Sequence, residues 1–144
     1  EVTLPAVDEG LRRSGRSRKD FEISYSPFII SGKDEATFEA QKLAAKNRIA
    51  FYGSTPAYKG VMGVHGWGDM QPELNAMSKQ GQWQAMGQLI TDEMLNTFGV
   101  MGEPDTLVAE IQRRYGDIAD RTGGGFTFVD TDQRLQMIAD LRAG

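Results

Sequence analysis

Phe21-Glu22-Ile23-Ser24-Tyr25-Ser26-Pro27-Phe28-Ile29-Ile30 is the stretch whose reading decides the fold. Phe21, Ile23 and Tyr25 alternate with Glu22, Ser24 and Ser26, and an apolar triplet follows Pro27. A period of two predicts a strand, and the closing apolar run predicts that its end is buried. The residues that follow change period. From Asp34 to about Tyr52 good helix formers continue, with Phe38, Leu43 and Ile49-Ala50-Phe51 on one side and Gly53 as the stop.

Working outward, Leu4, Val7 and Leu11 predict a helix before the strand, ended by Gly15. The cations Arg12, Arg13, Arg16, Arg18 and Lys19 suit a helix C-terminus and read as a solvated face rather than a phosphate site. Beyond Gly53, Ser54-Thr55-Pro56 opens a short helix with Tyr58, Val61 and Met62, which His65-Gly66 ends. Asp69 is the expected N-cap of a helix over 70–79, with Pro72 in its first turn. Trp83, Met86, Ile90 and Met94 predict a single helix up to Asn96. Thr97–Met101 reads as a second strand, and Gly102-Glu103-Pro104 turns into a helix with Leu107, Val108, Ile111 and Tyr115 on one stripe. Phe126-Thr127-Phe128-Val129, after Gly123-Gly124-Gly125, predicts a third strand over 125–129. Asp130 or Thr131 then caps a last helix with Leu135, Ile138 and Ala139 facing inward.

Strands separated by helices pair in parallel through right-handed crossovers, so the expected class is α/β with three parallel strands. A closed eight-stranded barrel takes about 250 residues, against 144 here. The expectation is therefore a portion of a larger α/β domain. The opening Glu1-Val2-Thr3-Leu4-Pro5, already a helix start, points the same way.

Composition removes several functions. A net charge of −4 argues against a general nucleic-acid binder, which needs a basic face to displace counterions. Zero cysteines removes disulfides, zinc–thiolate sites and iron–sulfur clusters, and makes a cytoplasmic location the simpler expectation. No apolar run approaches the roughly 20 residues of a membrane span. His65-Gly66-Trp67-Gly68-Asp69 resembles the oxyanion loop of an α/β-hydrolase, but that chemistry also needs a G-x-S-x-G elbow and a separate histidine base. Gly53-Ser54-Thr55-Pro56 lacks the elbow pattern, and His65 is the only histidine, so the hydrolase reading fails. No residue cluster has metal-ligand spacing, and the seven methionines fall mostly on apolar faces, as core.

Arg48-Ile49-Ala50-Phe51-Tyr52-Gly53-Ser54-Thr55-Pro56-Ala57-Tyr58, with the HGWGD stretch and Gly102-Glu103-Pro104 behind it, resembles the luciferase-like monooxygenase superfamily. The likeness is strongest to a branch of coenzyme F420-dependent oxidoreductases and runs along the whole chain. It implies the C-terminal half of a (β/α)8 TIM barrel, with the N-terminal half and its phosphate-binding loop absent. It also implies hydride transfer to or from a small organic substrate, with coenzyme F420 or, in flavin-using relatives, FMN as cofactor. The triple glycine at 123–125 departs from the family pattern.

Six residues are candidates for the cofactor. Tyr25 and Ser26, with Phe28, lie toward the end of the first strand, which in a barrel faces the mouth; the alternative is core packing. Tyr52, Ser54 and Tyr58 stand at a helix joint, where aromatic walls can stack on a flat ring and a helix N-terminus at Pro56 attracts anions; the alternative is the joint alone. His65 is the one side chain with an unperturbed pKa near neutrality and hence a candidate proton shuttle, against the role of helix terminator. Trp67 reads as an anchor of its loop, and Glu103 with Asp105 as helix-capping acids that would repel a phosphate. The catalytic residues stay unassigned. The competing reading, from another class, is a stand-alone, non-catalytic α/β interaction module derived from such an enzyme. On the enzyme reading the open edges of a cut barrel predict self-association or pairing with the missing half, and no turnover by this chain alone.

Overall fold

A computed structural model describes residues 2–123 and 125–143; Glu1, Gly124 (the middle of the triple glycine) and Gly144 lie outside the described residues. The first helix, α1 (Thr3–Ser14), ends at Gly15, whose φ of 67° gives the left-handed cap that glycine adopts without strain. The decisive stretch then splits into β1 (Ser24–Tyr25) and β2 (Phe28–Ile30), separated by Ser26 and the buried Pro27. Proline carries no N–H for a ladder, so the break falls there.

Asp34 starts α2 (Glu35–Ser54): its carboxylate accepts from Thr37 N at 2.8 Å. The helix continues through Gly53 and Ser54, beyond the expected stop. Gly53 lies inside it with Leu74 and Met62 against its open side, a close approach rather than a terminator. Leu43 and Phe51, expected to face inward, are exposed. A 3-10 turn at Pro56–Tyr58 leads into α3 (Lys59–Val64), which ends at His65-Gly66 as expected, with Gly66 at φ 83°.

Asp69 does not cap the next helix. A 3-10 turn, Gly68–Met70, runs directly into α4 (Gln71–Lys79), and Met70 already has helical backbone, so no extended cap position exists for a side chain to serve. The single helix expected over 83–96 is two: α5 (Trp83–Gln88) and α6 (Asp92–Phe98). Thr91 is extended and its Oγ1 accepts from Met94 N at 3.2 Å, so a capping residue interrupts an unbroken apolar stripe. Phe98, expected in the second strand, closes α6, and β3 is Gly99–Met101. Pro104 opens α7 (Pro104–Tyr115) as predicted.

The third strand lies elsewhere than expected. β4 is Arg121–Thr122, and residues 125–129 are irregular, with a turn at Thr127-Phe128. Phe126 and Phe128 are buried while Thr127 is exposed, which gives the period of a strand without a ladder. The carbonyls of Phe126 and Val129 accept instead from the Arg134 guanidinium, at 2.9 and 3.4 Å. In the last helix, α8 (Thr131–Ala143), Asp130 Oδ1 accepts from Gln133 N at 2.9 Å. Met137 is its buried residue; Leu135 and Ala139 are exposed, contrary to the predicted inward face.

Both strand pairs are parallel. β1 pairs with β4 in the register Ser24↔Arg121, Tyr25↔Thr122, and β2 with β3 in the register Phe28↔Gly99, Ile29↔Val100, Ile30↔Met101. The β2–β3 ladder separates two cores. Phe28, Ile30 and Met101 face a cluster that includes Ile49, Leu74, Met86, Ile90 and Leu95, from α2 and α4–α6. Ile29 and Val100 face the other way, onto Leu107, Ile111, Phe126, Phe128 and Met137. All seven methionines belong to or pack against these two clusters. No described helix is long and apolar enough to cross a membrane.

Candidate functional site

Parallel strands give the domain two unlike ends. At the C-terminal end, Ile30 runs into Ser31-Gly32 and then α2, and Met101 into Gly102-Glu103 and then α7. The crossing is tight. Gly102 N donates to Ile30 O at 3.2 Å, and a Cβ on Gly32 would lie 2.3 Å from Phe38 N, which no side chain could tolerate. Ser31 is fully buried and its Oγ has no hydrogen-bond partner. A buried hydroxyl without a partner costs about 1–3 kcal/mol, so it marks a place where a partner belongs.

Tyr25 and Ser26 stand at the end of the other ladder. Tyr25 packs its ring on Tyr115, centroids 4.6 Å apart, and burial, then the hydrogen bond with Tyr115, pushes its phenol pKa up. Ser26 closes on Gly123, where a Cβ would come within 2.6 Å of its Oγ, and the neighbouring Thr122 Oγ1 is buried without a partner. The start of this ladder is held by Asp120, whose Oδ2 accepts from Ile23 N and from the Arg18 guanidinium, each at 2.7 Å. Those bonds lower the Asp120 pKa, the backbone one most. Beside it opens a cavity of about 740 Å³ between α7, β4 and α8, with Tyr115, Thr122, Ile138 and Arg142 in its lining.

The other candidates gather at the opposite end. Tyr52 and Tyr58, rings 5.4 Å apart, line a cleft of about 210 Å³ with Phe28, Ile49, Gly53, Val61, Met62 and Phe98. Phe28 is the first residue of β2 and Phe98 the last before β3, so this cleft lies at the N-terminal ends of the strands. His65 stacks on Trp67 at 5.3 Å and meets Phe98 edge-on at 5.4 Å, behind the cleft wall. Ser54 does not line the cleft. It is buried, its Oγ donates to Phe51 O at 2.7 Å, and its carbonyl accepts from Gln71 Nε2 and Asn75 Nδ2, both at 3.0 Å. The helix N-terminus expected at Pro56 is a 3-10 turn of three residues.

The structure thus brings Tyr52, Tyr58 and, through Phe98, His65 into one neighbourhood, and leaves Tyr25 with Ser26 in another. Sequence reasoning missed Ser31, Gly32 and Thr122 as strand-end residues, although position after a parallel strand was a usable signal; Gly102 was placed after its strand but read as part of a capped helix start. It also missed Phe98, which read as strand. Among the described residues no three His, Asp or Glu side chains cluster as a metal would require.

A planar fused ring suits the C-terminal ends better than the cleft. There the residues are small and the buried Ser31 hydroxyl has no partner. At about 210 Å³ and with an almost wholly apolar lining, the cleft takes one ring and not a fused ring system with a long tail.

A parallel α/β chain with these strand ends matches the family profile described as luciferase-like monooxygenase over residues 1–121. The chain belongs to that family. An uncharacterized protein of Mycobacterium tuberculosis is 49% identical over 121 residues, 84% of this chain and 36% of the relative. A 5,10-methylenetetrahydromethanopterin reductase of Methanopyrus kandleri is 30% identical over 117 residues, 78% of this chain and 31% of the relative. The corresponding reductase of Archaeoglobus fulgidus is 26% identical over 117 residues, covering 77% and 34%. The chain therefore spans about a third of the length of the curated relatives it matches.

Proposed function

We propose that the chain is the C-terminal part of a (β/α)8-barrel oxidoreductase that uses coenzyme F420, or alternatively FMN, to transfer a hydride to or from an organic substrate. Membership of the luciferase-like family and similarity to two proteins named as reductases support the redox class. The observation that carries the placement is the shared direction of β2 and β3, whose C-terminal ends both open into helices. Barrel chemistry is found at that end.

When bound, the deazaflavin or flavin ring supplies the carbon or nitrogen that gives or accepts the hydride. This chain's part is to bind and orient. Ser31 Oγ would donate a hydrogen bond to the cofactor, and Gly32 and Gly102 let the strand ends turn tightly into α2 and α7 beside it. Tyr25 and Ser26 flank the site from the β1–β4 ladder, with the Tyr25 phenol kept neutral. Tyr52, Ser54, Tyr58 and His65 lie at the far end of the strands and, on this reading, do not touch the ring.

The test uses the protein expressed from its whole reading frame. F420 and FMN binding is followed by cofactor fluorescence, and hydride transfer by the ring's absorbance. Ser31→Ala is expected to weaken cofactor binding about fivefold, the loss of one hydrogen bond, and Tyr58→Ala to leave it unchanged. A protein that binds neither cofactor would overturn the assignment; one that binds normally without Ser31 Oγ but not without Tyr58 would move the ring to the cleft. The chain of 144 residues alone is expected to show no turnover.

A further inference from the structure

We propose that the cleft at the N-terminal ends of β2 and β3 is a binding site for a small planar aromatic anion, separate from the site of hydride transfer. Its size sets the first limit. An apolar cavity of about 150 Å³ already accepts a benzene ring, so a cleft of about 210 Å³ takes one ring with a short substituent. Its walls set the second. Tyr52 and Tyr58 meet at 49° across 5.4 Å, with Phe28 and Phe98 opposite and Met62 buried among them. Tilted rings and a thioether offer the edge-to-face and sulfur contacts that favour an aromatic guest over an aliphatic one.

The charge at the rim sets the third limit. Arg48 lies one turn before Tyr52 on the same face of α2, and its guanidinium carbon is 5.8 Å from the Phe28 ring centroid. It forms no ion pair among the described residues. No Asp or Glu lines the cleft. A cation without an ion-pair partner beside an apolar pit favours a ring carrying a carboxylate over a neutral one, because the guanidinium fork matches a carboxylate.

The experiment titrates the protein expressed from its whole reading frame with 4-fluorobenzoate and with the uncharged 4-fluorobenzyl alcohol, each followed by its fluorine NMR line. Saturable binding is expected, tighter for the benzoate. Arg48→Gln should weaken the benzoate about fivefold and leave the alcohol unchanged. Val61→Trp should fill the cleft and abolish both, and Tyr58→Ala should weaken both should the larger side chain impair folding. F420 or FMN binding by the Arg48 variant should stay as in the parent, so that failure here and failure of the redox reading are told apart. Absence of saturable binding, or binding indifferent to every one of these substitutions, would overturn the proposal.

Discussion

A single carbonyl, that of Ser54, shows how one residue can join two helices. It is among the last carbonyls of α2, which have no partner within the helix, and it accepts from two side-chain amides of α4, Gln71 and Asn75, each at 3.0 Å. Either amide alone satisfies the oxygen. Gln71→Ala or Asn75→Ala is therefore expected to cost about 0.5–1 kcal/mol, whereas the double variant strands a buried acceptor and should cost more than the two together. Urea unfolding of all four proteins measures that coupling, and simple additivity would contradict the shared-acceptor account. The same residue shows why its role was not legible in the sequence. Ser54-Thr55-Pro56 carries an obvious helix-start pattern, but the donors lie 17 and 21 positions further on. Local spacing cannot reveal partners that only tertiary packing brings together. Tyr52 and Tyr58 were legible as a pair of aromatic walls, but not which end of the strands they stand at.

Among the elements, those with punctuation were readable and those without were not. Gly15, Asp34, His65-Gly66 and Pro104 each fixed a helix boundary by its own chemistry. β4 has two residues, one exposed and neither apolar, and so gave no periodic signal, while Phe126 and Phe128 gave that signal without being a strand. Arg114 joins several elements. It donates to Glu110 at 2.7 Å, to Asn96 O at the end of α6 at 2.7 Å, and to Gly99 O at the start of β3 at 2.8 Å. Hydrogen bonds from Arg113, then from Arg114, hold the Glu110 pKa down to about 2, from an ordinary 4.5. A carboxylate with a depressed folded-state pKa stabilises above its unfolded pKa and loses that contribution as pH falls through the folded one. Glu110 should thus support the fold fully above about pH 4.5 and cease to do so near pH 2. Glu110→Gln is expected to remove less than about 1 kcal/mol near neutrality, since Arg113 is largely exposed. Its deficit should shrink between pH 4.5 and pH 2. Acid titrations of chemical stability measure this, and a deficit that grows as pH falls would contradict it.

At the scale of the molecule, the α/β class and the parallel direction of the strands were legible, because helices between strands leave little alternative. The number of apolar side chains left uncovered was not. Phe51 and Trp83 are 51% and 49% exposed, yet their rings lie 6.0 Å apart on the outer side of α2 and α5. Neighbouring exposed aromatics of this kind favour association. The 144-residue chain is expected to self-associate in light scattering, and Phe51→Ser with Trp83→Ser to reduce its apparent mass toward the monomer's. A parent protein already monodisperse at monomer mass would show that this face needs no cover.

The β2–β3 ladder, with one core on each side, has a consequence in time. Its amide protons can meet solvent only when both cores have opened, whereas amides of α4 or α8 need only one to loosen. In heavy water the amide protons of Ile30 and Val100 should be the last to be replaced by deuterium. The helices on either side should form two earlier groups, each with its own rate, so that isotope uptake separates the halves of a chain that shares one narrow hydrogen-bonded seam.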